Sequence, residues 1–452
     1  MDNSLTGKEL KKILGSAFGI AVMVGGIIGV GILRTPGSVA ELLPDKWLIL
    51  LCWTLGGIYV LLAVNSLAEL STMLPKAGGS FNYIQRAFGD YAGFISGWFD
   101  YIINAIAPAY FSIAISDYLS VLIPPLKGLE SLTAIVLISA LTLLHLAGLK
   151  GGSIAQQVIS VIKVAAFFIL IVCCFVFPTS QQVYSQQGVD ASSTLIGSGI
   201  FIAFIRSMQL ILGTYDGWGS PVFFAEENIN PGKSMPRALF GGALIVMFIY
   251  LLINLALFHL LPVASIAGSQ LAVGDAARVI FGEAGYTILI FIAVFSLIGI
   301  LNAIVMLCPR ILFGLSREGF FIRQGTAVNK GGTPYVGLIT SSVIAVALVV
   351  ISSFDQLFAL GAFMTMFVSS LMFSSVIKLR ISEPNLPRPF KAWGYPYVNI
   401  FMLLISIAIF VSYIFADPKN FIVILFLILV SIPAFLYLKK KETRRRNSAD
   451  PV

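Results

Sequence analysis

The chain has 452 residues, 58% of them hydrophobic and only 11% charged, with mean hydropathy +0.94 and a formal net charge of +8. A soluble protein carries roughly 25% charged residues, so this composition excludes a water-soluble globular domain and indicates an all-α integral membrane protein. The positive charge then reads as loop asymmetry about a bilayer, and no nucleic-acid partner is expected.

Crossing about 30 Å of hydrocarbon takes about 20 helical residues. Twelve spans are predicted on that rule: 14–42, 47–73, 88–122, 130–148, 154–177, 193–228, 237–262, 285–316, 335–352, 356–379, 396–416 and 421–438. The stretch 263–283 is too polar to span and is predicted to carry a short surface helix. The polar leader from Met1 to Lys12 runs into a long Gly-rich span and is not expected to be a cleaved signal.

Two spans contain segments unsuited to continuous helix. Span 1 holds Gly25-Gly26-Ile27-Ile28-Gly29-Val30-Gly31, and span 6 holds Gly213-Thr214-Tyr215-Asp216-Gly217-Trp218-Gly219-Ser220-Pro221. Glycine costs about 1 kcal/mol relative to alanine in a helix interior, so both segments favour a break. Unwound backbone at membrane depth is tolerated only where protein or a watery cavity covers it. A pair of such breaks, one in each half of the chain, points to a transporter's binding site.

Orientation follows from the basic residues. Of the 29 Lys and Arg, 22 fall in the N-terminal segment, one set of alternate loops and the C-terminal tail. Four fall on the opposite side (Lys46, Lys127, Arg278, Lys419), and Arg34, Lys163 and Arg206 lie inside spans. The bias places both termini in the cytoplasm. The predicted organisation is a cytoplasmic segment 1–13, a first repeat 14–177, a second repeat 193–379, two appended spans in 396–438 and a basic tail 439–452. Five spans separate the two breaks, and an odd number inverts the copy, which gives a 5+5 inverted repeat.

Several motifs resemble the amino acid–polyamine–organocation superfamily. They are Gly26-Ile27-Ile28-Gly29-Val30-Gly31-Ile32, and Pro75-Lys76-Ala77-Gly78-Gly79-Ser80-Phe81-Asn82-Tyr83 with Glu69 just before it. Tyr215-Asp216-Gly217-Trp218, followed by Glu226-Glu227, Asn230-Pro231 and Pro236-Arg237, is similar to the L-type amino acid transporter branch. Arg388-Pro389-Phe390-Lys391 with Gly394-Tyr395-Pro396 also fits. The resemblance implies a LeuT-type fold and sodium-independent secondary transport of amino acids by alternating access, as exchange or proton symport. A polyamine or other cation carrier, and a membrane receptor or sensor on the same fold, are the alternatives.

The residue chemistry agrees. Amides freed near Val30 and Gly31 begin the outer half-helix, whose partial positive charge suits a carboxylate. Carbonyls near Ile27 and around Gly213 to Asp216 suit an ammonium. The candidate substrate-binding residues are Ile27, Gly29, Val30, Gly31, Gly213, Tyr215 and Asp216; the competing reading of the glycines is close helix packing. Asp216 is expected to contact the amine, pair with a cation or cap the inner half-helix. L-type relatives usually place an aromatic gate where this chain has Gly213, so the gate moves to Tyr215, Trp218 or Phe204, or the pocket enlarges.

Lys163 lies about 15 Å into span 5 at helical rise, too deep to reach the surface easily. By resemblance it stands where sodium-coupled relatives hold a cation bridging spans 1 and 8. It is expected to bind freed carbonyls near Ile27 and Ile28, as a structural cation or a proton carrier. Arg34 and Arg206 are candidate vestibule residues, steering substrate, or else reaching outward or pairing structurally. Glu226 and Glu227 are expected to cap or to pair with Arg237 or Lys233. His145 and His259 lack metal-ligand spacing, the four cysteines read as buried thiols, and no P-loop is present. No cofactor, metal or catalysis is expected. The expected partners are a small-molecule amino acid and the bilayer, with the protein a monomer or homodimer.

Overall fold

In the computed structural model, which describes residues 10–177, 198–351 and 354–449, the regular structure is helical throughout. A bilayer offers backbone groups no water, and helices satisfy them within a single segment. The helices are α1 (Ser16–Ile27), α2 (Val30–Leu42), α3 (Lys46–Met73), α4 (Phe81–Phe88), α5 (Asp90–Leu122), α6 (Glu130–Ala147), α7 (Leu149–Val176), α8 (Ser198–Thr214), α9 (Pro231–Leu260), α10 (Val263–Ile266), α11 (Ala272–Arg317), α12 (Tyr335–Ile351), α13 (Phe354–Ser382), α14 (Tyr397–Ala416) and α15 (Pro418–Ala449). Among the described residues, nine helices are long and apolar enough to cross a membrane, or ten if the bent pair α1–α2 is one span. Two apolar helices, Gly199–Thr214 and Tyr335–Ile351, are shorter. Of the expected segments, residues 1–9, 193–197, 352–353 and 450–452 lie outside the described ones.

Local sequence explains several boundaries. The Asp45 carboxylate accepts from Leu48 N at 2.7 Å, capping α3. Pro231 starts α9, where its missing N–H costs nothing, so this helix begins six residues before the predicted 237. The stretch 263–283 differs from the predicted single surface helix. It forms α10 and the first turns of α11, whose residues Val273, Ala276 and Ala277 are buried. Gly282, at φ 65, then kinks α11 into its long apolar part.

Helices α1, α3, α5, α9 and α11 pack closely, with α13 against α5 and α14. Side chains such as Val161, Phe168, Ile169 and Phe248 point outward and are exposed, as an apolar face suited to lipid would be. Where α3, α11 and α13 end, carboxylates meet arginines. Arg380 donates to Glu69 through Nε at 2.9 Å and Nη2 at 2.6 Å, and Arg388 Nε lies 3.2 Å from the same carboxylate. Arg310 donates to Glu227 at 2.8 and 3.0 Å, and Arg317 to Glu226 at 2.8 Å. The partners expected for Glu226 and Glu227, Lys233 and Arg237, are therefore replaced by arginines of α11. The sequence separation hid this pairing, because α11 returns to the same end of the bundle.

The segment before α1 is stitched to the segment after Glu227. Ile13 N and Leu14 N donate to Glu227 O, each at 3.0 Å, and Ile229 N donates to Leu14 O at 3.0 Å. Leu14 and Asn228 thus form an isolated bridge.

Candidate functional site

Helix α1 stops at Ile27. Ile28 (φ −71, ψ 106) and Gly29 (φ −145, ψ −149) carry the chain in extended form to α2, and the two helices bend by 44°. The end of a helix leaves carbonyls without intrahelical donors. Lys163, 1% exposed on α7, supplies donors here: Nζ donates to Gly25 O at 3.1 Å and Ile28 O at 2.6 Å. Its third bond goes to Ser296 O of α11 at 3.0 Å. An ammonium has three donors and all three are used. The carbonyls are those of Gly25 and Ile28, so Ile27 is not one of them.

One and two turns earlier on the same face of α7, Ser160 Oγ donates to Ala21 O at 2.7 Å, and Gln156 Nε2 lies 3.4 Å from the same oxygen. Asn302 Nδ2 donates to Gln156 Oε1 at 2.7 Å, and Asn302 Oδ1 lies 3.0 Å from His145 Nε2. His145 is therefore a buried structural residue. Gly25 is required here, since a Cβ would lie 2.0 Å from Gln156 Nε2.

The second interruption follows α8. After Thr214 the chain turns through Tyr215–Gly219 and resumes as a 3-10 helix, Ser220–Glu227. The Tyr250 hydroxyl of α9 lies 3.1 Å from both Ile27 O and Thr214 O and has one hydrogen to share between them. The two interruptions touch. Gly217 has φ 102, and a Cβ there would lie 3.0 Å from Gly26 O. Gly217→Ala combines a left-handed backbone with this close approach. It is expected to lower thermal stability and cut ligand-dependent activity several-fold, measured on the purified variant; an unchanged melting temperature and activity would sink the close-contact account.

A cavity of about 140 Å³ opens beside Gly217. Asp216 and Trp218 line it together with Asp100 and Asn104 of α5, Leu307 of α11 and Ser369 of α13. Trp218 stacks on Phe373 at 6.3 Å. Asp216 is accessible from the cavity and makes no ion pair with a described residue. The 3-10 helix has Gly219 at its N-cap position and no side-chain cap, so the expected capping role of Asp216 is not what the structure has. Asp100 is buried and accepts a hydrogen bond from the Ser80 hydroxyl.

The other predicted residues lie elsewhere. Tyr215 is buried against Trp53 and Tyr250 and donates to Trp53 O at 3.3 Å, pointing away from the cavity. Ile27 and Gly29 are buried, and Val30 and Gly31 are half-buried. A Cβ on Gly29 would meet Ile300, and one on Gly31 would meet Thr214, so both glycines serve close packing in this conformation. Gly213 is exposed and faces open space. Arg34 and Arg206 are exposed, and neither lines the cavity. Asp100 was missed, although an acid inside a predicted span is the same signal that singled out Lys163.

The sequence model for amino acid permeases matches residues 16–438. The chain is 28% identical over 444 residues to the serine/threonine exchanger SteT of Bacillus subtilis (strain 168), covering 96% of this chain and 98% of that protein. It is 27% identical to the b(0,+)-type amino acid transporter 1 of Mus musculus, over 98% of this chain and 91% of that protein. To the large neutral amino acids transporter small subunit 2 of Homo sapiens it is 26% identical, over 85% of this chain and 73% of that protein. A match spanning both helix interruptions and Lys163 places the whole bundle in one lineage: the chain belongs to the amino acid permease family.

Proposed function

We propose that this protein is a sodium-independent secondary transporter of amino acids, working by alternating access as an exchanger or proton symporter. One observation carries the reading: two interrupted helices meet at Gly26 and Gly217 beside a cavity within the helix bundle. The substrate class follows the relatives, one named for serine and threonine and another for large neutral amino acids. Sodium independence rests on Lys163, whose ammonium joins α1 to α11 through three carbonyls.

In this reading α1–α2 is one broken span, α8 with Ser220–Glu227 is a second, and α12 also crosses. With the nine long helices this makes twelve spans, arranged as repeats 14–177 and 193–379 with 396–438 appended. Both termini face the cytoplasm, and the protein acts as a monomer or homodimer without catalytic chemistry. The substrate carboxylate takes the amides of Val30 and Gly31 at the start of α2. Its ammonium uses the second lone pairs of Ile27 O and Thr214 O, beside the bonds from Tyr250.

Purified protein in liposomes is expected to take up labelled serine, threonine or a large neutral amino acid, with equal rates in sodium and in potassium. Dependence on internal amino acid distinguishes exchange from proton symport. Absence of substrate-dependent uptake across a broad amino acid panel would remove the reading, and a sodium requirement would remove the role of Lys163.

A further inference from the structure

Several cations at the end of the bundle near Glu69 are engaged by carboxylates: Arg380 and Arg388 by Glu69, and Arg86 by Glu383. Lys233, Arg237 and Lys391 are different. All three are exposed, and none makes an ion pair with a described residue. Packing gathers them at one corner. Lys233 and Arg237 are one turn apart on α9, on the face that also presents Phe240. The segment leading into α14 runs along that helix. A Cβ on Gly232 would lie 3.3 Å from Pro389 Cβ, and the Phe390 and Trp393 rings lie 5.8 and 5.0 Å from the Phe240 ring, the second stacked on it. Lys391 falls between these two aromatic residues.

A second, independent feature marks the corner. Trp393 is 64% exposed, yet its backbone is firmly held. Ala392 N donates to Glu69 Oε2 at 2.7 Å, Trp393 N donates to Asn65 Oδ1 at 3.0 Å, and Asn65 Nδ2 donates to Trp393 O at 3.0 Å. An exposed indole suits the level of lipid headgroups. Beyond it, on the same face of α9, Leu244 and Phe248 are exposed and apolar. Lys233 to Phe248 spans about 22 Å at helical rise, about one leaflet with its headgroups. The surface thus runs from cations through stacked rings to hydrocarbon. A phosphate in solution would satisfy only the first of these; an anionic phospholipid satisfies all three.

We propose that this corner binds one anionic phospholipid, with its headgroup phosphate on Lys233, Arg237 and Lys391, its glycerol region beside Trp393 and an acyl chain along Leu244 and Phe248. The site lies outside the cavity at the helix interruptions and is independent of the transport reading.

The test places the purified full-length protein in phosphatidylcholine vesicles containing a minor share of brominated phosphatidylglycerol or, separately, brominated phosphatidylcholine. Bromine quenches nearby indoles, and the Trp393 share is the difference between the protein and Trp393→Phe. Association of the brominated anionic lipid beside Trp393 is expected to be at least about fivefold stronger than that of the neutral one, the contribution of a single cation at a charged surface. In the triple variant Lys233→Gln, Arg237→Gln, Lys391→Gln the ratio is expected to fall toward one. Arg237→Gln alone, at an exposed position, is expected to lower it part of the way and serves if the triple variant does not insert. Replacing Lys150, Lys440 and Lys441 with glutamine removes the same charge elsewhere and is expected to leave the ratio unchanged. Equal quenching by the two lipids overturns the proposal, as does a ratio that survives the triple variant or falls equally in the control. Displacement of the anionic lipid by inorganic phosphate at matched ionic strength would also overturn it, in favour of a site for a free anion.

Discussion

Lys163→Ala is expected to reduce amino acid uptake to below about one tenth of the unaltered rate, even where the protein still inserts and purifies normally. The ammonium makes three hydrogen bonds, to Gly25 O, Ile28 O and Ser296 O, at 3.1, 2.6 and 3.0 Å. Hydrogen bonds to a charged group contribute about 1.5–3 kcal/mol each, and removing the donor leaves buried carbonyls unsatisfied. Two of those carbonyls belong to the end of α1, so the loss falls on the geometry of the interruption. Lys163→Met keeps most of the aliphatic stem and removes the ammonium with its charge and three donors, and it is expected to be as defective as Lys163→Ala. Initial uptake rates in liposomes at matched protein content decide the matter. A near-normal rate for Lys163→Met would mean that packing, not the ammonium, holds α1 in place.

The second large effect is on stability. Arg310 and Glu227 have side chains 1% and 0% exposed and form a bidentate pair at 2.8 and 3.0 Å. The guanidinium also lies 4.7 Å from the Phe224 ring centre and bonds to Met306 O. Replacing Arg310 with methionine strands a buried carboxylate, and breaking one side of such a pair costs about 3–5 kcal/mol. Arg310→Met is therefore expected to lower the melting temperature sharply. Adding Glu227→Gln to Arg310→Met should restore part of that loss, because no unpaired charge then remains. Thermal unfolding of the purified single and double variants measures both. A double variant less stable than Arg310→Met alone would contradict the pairing account.

Much of this architecture was legible in the sequence because hydrocarbon imposes a length rule and forbids unwound backbone without cover. The interruption near Gly29 and the deep position of Lys163 followed directly from those constraints. What was not legible depends on which helices return to the same level. Asp100 lies in α5 and Asp216 after α8, and only the packing brings them to one cavity. The same holds for Glu227 and Arg310, 83 positions apart. Tyr215 illustrates the opposite error. Its motif places it at the interruption, but the backbone turn sends its ring into the Trp53–Tyr250 cluster, while its neighbours Asp216 and Trp218 line the cavity. Direction of a side chain in a turn is set by local dihedral angles that residue identity alone does not specify.

The stitch of Leu14 to Glu227 and Ile229 has a mechanical consequence. It fastens the foot of α1 to the foot of the chain segment leaving the other interrupted helix, so these two feet travel as a single lever. In the proposed transport cycle, a push on either foot is expected to reach both interruptions together. A fusion or label that pries residues 13–14 from 227–229 would uncouple that lever, leaving each interruption intact but no longer in step.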